Sequence, residues 1–535
     1  MKVLMKLNKY ICSGLIFLTG AILFAQNIEL PDVTTVITGD SVKVGADALP
    51  DFEDVLVISE GSGDIVPVLP DVESPNSSEL NNKKNKNSEN SIFAEGQIGG
   101  GYPILFKGDF SVFRLSGLSP FKLSFGHDSS IGYVNYAITD GFSDRSTNLN
   151  IEKSFQLNQF KWGFAGDYNS LSNGLQSQIE GITNLNQDNY SGNAFFEYDL
   201  TKGFLVGLNA GMSFYNRYGD VASGYFPTAL ILSGSPELFF KWQGYGFEVG
   251  LDGNYYFEND LSKVAYLKTL HRGLFGTTFA WSNDYLKIYG DVHGLVGNQL
   301  NNNSMLAPFS VGIDSSFPVY FSNRKFSISV KGGLESFMQS ASDLERTYKF
   351  SVLNIAPSET SNWFASVDFG IPLKESFTGN ISVDYKKTAF GNGYLQPLYS
   401  TLTTGLYQYT MMELQQLNTD ISLTYHYKIF SISGGWKSYW LNVPELEAAY
   451  KIYLDLNFQS QDSKWGCGLN GSLALGASDY NPIINFEGFV RLTSAVRAVV
   501  SVEDIVKLIK AEPRIYAGKF ISRGGTATLM LKFFF

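Results

Sequence analysis

The last ten residues, TATLMLKFFF, alternate in character: Ala527, Leu529, Leu531, Phe533 and Phe535 hold one parity, while Thr526, Thr528, Met530 and Lys532 hold the other. Successive side chains of an extended strand leave opposite faces, so this stretch shows two faces to two different surroundings. The pattern recurs upstream. In FEVGLDGNY, Phe247, Val249, Leu251 and Tyr255 oppose Glu248, Asp252 and Asn254; in NISVDY, Ile381, Val383 and Tyr385 oppose Asn380, Ser382 and Asp384; in IYLDLNFQ, Ile452, Leu454, Leu456 and Phe458 oppose Tyr453, Asp455, Asn457 and Gln459.

A soluble sandwich with one buried face also alternates. Two features separate the cases. About 22 such segments of roughly ten residues can be counted from Ile92 onward, an even number typical of large transmembrane barrels. The connections also alternate in length: short links fall at Gly117–Ser119, Thr201–Gly203, Lys374–Ser376 and Gln461–Lys464, and long ones at Ser172–Asn189, Gln339–Asn362 and Gly391–Gly405. An up-and-down barrel with tight periplasmic turns and longer extracellular loops requires that alternation. The expected fold is therefore all-β, a transmembrane antiparallel barrel of about 22 strands over residues 92–535.

Composition agrees with this reading. Past the first 25 residues no run of 18 apolar residues occurs, which excludes helical spans on length, and aromatic residues make up 15% of the chain, suited to strands and interfacial girdles. The start reads as a signal peptide over residues 1–25: Lys2, Lys6 and Lys9 precede the apolar stretch Ile11–Phe24, and Ala25 is a suitable last residue. Its removal takes three of 40 basic residues against 51 acidic ones, leaving a net charge of about −14. No basic stripe is present, so nucleic acid is not an expected partner. The acidity suits a solvated surface, with a cation-attracting lumen as the sharper alternative. Cys467 is expected to be the only cysteine of the mature chain, which permits no disulfide framework.

Residues 26–91 differ in texture. Gln26–Pro75 is acidic and proline-punctuated, and Asn76–Ser91 is a polar tether that cannot bury a core, so a disordered periplasmic tail is expected. The triplet LPD begins at Leu30, Leu49 and Leu69. Short extended apolar segments in such a tail can add a strand to a partner's sheet edge. The candidates are Val33, Thr34, Thr35, Val36 and Ile37, with Val55–Ile58 as a second copy.

Residues able to carry chemistry are few. His127, His271, His293 and His426 lie on separate segments, so neither a metal site nor a cofactor is expected. His293 and His426 share parity with Tyr289 and Asp291 and with Ser422 and Thr424, which makes them lumen-facing. His127 and Ser129 share the face of Phe121, Leu123 and Phe125. Their spacing resembles the His-x-Ser element of outer-membrane phospholipase A and lipid A deacylase. That resemblance implies His127 as general base, Ser129 as nucleophile, and Asn148 or Asn150 as orienting group.

Taken together, leader, box-like tail, strand count and terminal aromatic resemble the TonB-dependent outer-membrane receptors. The resemblance implies that Val33–Ile37 act as a TonB box, that a TonB-like energy-transducing protein is a partner, and that Phe535, with Leu529, Leu531 and Phe533 on the lipid face, closes the barrel and signals to the barrel-assembly machinery. The stretch from Ser501 to Phe535 is read as the family's last hairpin: penultimate strand, short loop, terminal strand. Residues 26–91 are too short and polar for the family's plug domain, so a plugless barrel is expected, its lumen filled by inward-folding loops or by a second protein. The leading expectation is a non-enzymatic transporter or receptor for a polar solute or partner, among lipids of the outer membrane of a diderm bacterium. A passive porin or structural barrel is one alternative, and a lipid esterase using His127 and Ser129 the other.

Overall fold

The computed structural model describes residues 92–535 except 115–118, 202, 220–228, 263–268, 301–304, 320–321, 375, 392, 404, 443–447, 476–481 and 518. The leader, the tail and Val33–Ile37 lie outside the described residues. Twenty-two long strands, each antiparallel to its neighbours in sequence, form one continuous sheet. The sheet closes on itself: the first strand, Phe93–Tyr102, pairs with the last, Thr526–Phe534, in a register running from Glu95 opposite Phe534 to Tyr102 opposite Ala527. Two further bonds complete the seam, Ala94 N–H to Phe535 O at 2.9 Å and Phe535 N–H to Ala94 O at 2.7 Å. Closure leaves no sheet edge, which is the condition for strands in hydrocarbon.

The alternation assigns the faces as expected. Phe247, Val249, Leu251 and Tyr255 are all 40% or more exposed, as are Ile452, Leu454 and Phe458, while Leu529 and Leu531 stand outward on the closing strand. Large apolar side chains exposed at that level all round a closed sheet form a lipid-facing belt. Of the ten strands that rise from the tight turns, seven begin with an aromatic residue on the outward face: Phe121, Phe160, Phe204, Phe247, Phe377, Phe430 and Trp465. Those rings form the interfacial girdle at the turn rim. The turns there are minimal. At Tyr245–Gly246 both residues take positive φ (54° and 79°), the two-residue geometry whose twist suits a hairpin.

The opposite rim carries the long connections, and here two expectations are corrected. Ser172–Asn189 is not a long loop: the strands Phe160–Gly174 and Asn184–Thr201 run into it and leave only residues 175–183 between them. These strands are 15 and 18 residues long, more than the ~9–11 needed to cross a bilayer. Their ends rise into water on both faces, where apolar alternation is no longer required while the ladder continues. The final link is not short. After the strand Val496–Glu503, residues 504–525 carry a helix and a small hairpin, Arg514–Ala517 with Phe520–Ser522, before the closing strand. The alternation of RIYAGKFIS belongs to that hairpin and not to the wall.

Candidate functional site: the loop cap and the cleft at its edge

Buried apolar residues concentrate at the loop rim, with a few such as Val499 and Met530 within the wall. Four connections supply most of them: 175–183, 339–358, 389–414 and 504–525, which leave the wall after its fifth, thirteenth, fifteenth and twenty-first strands. Strands so numbered are spread around the circumference, yet Leu175, Ile182, Phe350, Val352, Leu406, Tyr407 and Phe520 share one buried cluster. The loops therefore meet across the mouth. Phe350 and Phe520 stack with ring centres 3.9 Å apart, and the pair Ser351–Val352 adds a parallel strand to the hairpin Tyr394–Thr403 with Leu406–Met412. A second cluster joins Ala341, Leu344, Leu353, Leu395 and Tyr409 to the wall residues Tyr215, Ala229 and Ile231. The expectation that Gln339–Asn362 folds inward thus finds a wider arrangement, four loops with a common core. Burying each of these side chains contributes on the order of 1.5–3 kcal/mol.

Helix α1, Ala341–Thr347, is the centre of the second cluster. Its start is specified locally: Ser340 Oγ accepts the Asp343 N–H at 3.1 Å, with Asp343 in the first turn and Arg346 in the last, as the helix dipole favours. Glu345 points into the wall, where Arg217 pairs with it, each 1% exposed. Tyr215 donates its hydroxyl to Glu345 Oε2 at 3.1 Å, and Gln187 Nε2 donates to the Glu345 carbonyl at 2.8 Å. Burial pushes the Glu345 carboxyl above the ordinary carboxylate range, opposed by Arg217 and the Tyr215 hydroxyl. Further ties hold the loops to each other and to the wall. Gln176 exchanges two bonds with the Ile521 backbone (2.7 and 2.9 Å), Gln339 does the same with Leu395 (3.1 and 2.7 Å), and Tyr409 donates to the Leu344 carbonyl at 2.8 Å. Arg523, from the last loop, reaches Asp128 at 3.0 Å and Asp144 at 3.2 Å.

A cleft of about 260 Å³ opens where α1 and the turn after it approach the inner wall. The wall side is built from cross-strand pairs of two adjoining strands: Asp144 opposite Asn173, Ser146 opposite Leu171, and Asn148 opposite Asn169. Arg346, Thr347, Lys349 and Asp343 line it from the cap, and Arg523 from the last loop. A second cleft, lined by Asp384, Asn418, Asp420, Lys437 and Tyr453 among others, lies on the strands from Phe377 to Gln459.

The residues singled out in the sequence are placed as follows. His127 stays on the outward face with Leu123 and Phe125; its Nδ1 lies 2.8 Å from Thr147 Oγ1 and its ring contacts Phe106. Asn148 pairs with Asn169 and Asn150 with Asp167, all on the inward parity. Neither asparagine shares a face with His127 and Ser129, because one residue along a strand reverses the side. His293 does face the lumen, between Asp252 (3.2 Å) and Asp291 (3.4 Å). His271 Nδ1 takes a contact of 2.5 Å from the Tyr255 hydroxyl. Sequence reasoning missed Arg217, Glu345, Arg346 and Asn173.

No family model matches the sequence, and no curated protein does. Solved structures match in fold. The FrpB iron transporter from Neisseria meningitidis superposes with a TM-score of 0.61 at 10% identity, covering 83% of this chain and 81% of that one. The ferric enterobactin receptor of Pseudomonas aeruginosa in complex with enterobactin gives 0.61 at 10%, over 83% and 81%. The copper transporter OprC gives 0.61 at 10%, over 83% of each chain. The protein is thus a closed antiparallel transmembrane β-barrel of 22 strands, and its fold is similar to that of these two transporters and this receptor.

Proposed function

We propose that this chain is a gated receptor-transporter that binds a small polar solute at the cell surface and admits it to the lumen when the loop cap parts. The observation that carries the reading is the shared core of four loops from widely separated sectors of the mouth. A passive porin has no use for such a closure, since it costs loop entropy and obstructs flow. The cap obstructs the mouth at the loop rim. The structural neighbours are named as transporters of iron and copper and a receptor for ferric enterobactin.

Conductance tests the gate. In planar bilayers the whole protein should pass little current, and replacing residues 389–414 by a four-residue Gly-Asn link should raise the unit conductance several-fold. Equal conductance of the two would reject gating by the cap and favour an open pore.

Coupling to an inner-membrane motor is the second element of the reading. Val33–Ile37 would supply the added strand by main-chain bonds. Deleting Ile28–Asp40 should abolish co-purification with a TonB-like protein while leaving the barrel folded. Undiminished co-purification would reject the box.

A further inference from the structure

Most charged groups around the cleft are already satisfied. Arg523 engages Asp128 and Asp144, Tyr133 donates to Asp144 at 3.1 Å, and Asp343 accepts the Ser340 hydroxyl at 2.6 Å. Two groups are not. The side-chain amide nitrogen of Asn173, a residue only 5% exposed, has no hydrogen-bond partner. The Nε of Arg346, also buried, has none, and among the described residues its guanidinium joins no ion pair. Both residues line the same cleft, one from the wall and one from the cap. Leaving a buried donor unpaired costs about 1–3 kcal/mol, more for a charged group, so such donors mark a place where an acceptor is expected.

From these two donors we infer that the cleft binds a small hydroxylated carboxylate, its carboxylate on Arg346 and Asn173. The planar guanidinium fork suits a planar carboxylate. Asn148, Asn169 and Ser146, the next cross-strand pairs along the wall, offer donors and acceptors for hydroxyl groups. The volume, about 260 Å³, falls below the range for drug-sized ligands and fits a single sugar-acid-sized molecule. Lys349 adds positive charge on the cap side. Because Arg346 directly follows Glu345, a ligand seated here touches the helix that holds the cap to the wall. Occupancy and gating would then be linked through α1.

This assignment rests on the receptor reading, and its test is separable from the conductance test above. The full-length protein in detergent is titrated calorimetrically with galacturonate, galactose and inorganic phosphate, with folding verified for every variant by heat-modifiable gel mobility. Galacturonate should bind the native protein at least tenfold more tightly than galactose or phosphate. Arg346→Gln should weaken it at least tenfold, Arg346→Lys should restore only part of that loss, and Asn173→Ala should weaken it several-fold. Arg346 lies outside both apolar clusters, so these variants are expected to fold. Three results would overturn the inference: no galacturonate binding to the folded native protein, equal or tighter binding of galactose or phosphate, or binding indifferent to Arg346→Gln. Any of them, with a conductance that still rises when the cap is shortened, would reject the ligand and not the gate.

Discussion

Valine at position 99 prevents the barrel from closing. Gly99 lies on the first strand opposite Met530 of the last, and a Cβ there would stand 2.3 Å from the Leu529 carbonyl oxygen and 2.7 Å from Met530 Cα. Both are backbone atoms of the partner strand, so no rotamer change relieves the clash; the strands must separate. Gly101, two residues on, is tighter still, with 1.9 Å to the Ala527 carbonyl. Separating the seam leaves two rows of amides without partners in hydrocarbon, at several kcal/mol for each group. Folded, heat-modifiable protein in the outer-membrane fraction should fall at least about tenfold, an effect of this size needing only ~1.4 kcal/mol. Gly108→Ala is the matched control: on the neighbouring strand its added methyl meets nothing nearer than 3.8 Å, and its yield should be native. Normal assembly of Gly99→Val would show that the seam is looser than its register implies.

Glu345→Ala is the second large effect, and it should open the cap without unfolding the wall. Arg217 and Glu345 are both 1% exposed and meet between a wall strand and α1. Removing the carboxylate takes away the acid that Arg217 meets in a site that water does not reach, and breaking such a buried pair costs roughly 3–5 kcal/mol. Moving α1 off the wall admits water to Arg217 and relieves that cost. Helix α1 should therefore leave the wall, protease should cut within 339–358, and conductance should rise toward that of the loop-shortened protein. The double variant Arg217→Met, Glu345→Leu separates the causes, since replacing a buried pair by apolar groups of similar volume is often neutral or stabilising. It should keep the low conductance of the native protein. A closed cap in Glu345→Ala would mean the ion pair is not what holds α1 in place.

Both effects bear on what could be read in advance. The wall was legible because its cause is local: each strand meets lipid on one side and a polar lumen on the other, so period-two alternation is written into every ten residues. That logic placed Leu529 and Leu531 outward and paired the last strand with the first, whereas the register between neighbouring strands sets Asn148 and Asn150 on the opposite face from His127 and overturns them as its orienting groups. It failed where strands rise beyond the bilayer, as around Asn173, because a ladder standing in water no longer needs an apolar side. It failed again in residues 504–525, where a small hairpin imitates wall alternation.

What the amino-acid sequence determines by itself is the two-faced sheet, its strand number and the alternation of turns with loops, all consequences of neighbouring residues in two solvents. Only the tertiary structure decides how the mouth is closed and what the cleft presents. Arg217 and Glu345 lie 128 residues apart in the chain, and Leu175, Phe350, Tyr407 and Phe520 come from four separate loops. Contacts of that separation carry no periodicity; they exist because barrel closure brings distant loop ends to one rim, where burying apolar surface and pairing a buried charge outweigh the entropy of ordering the loops.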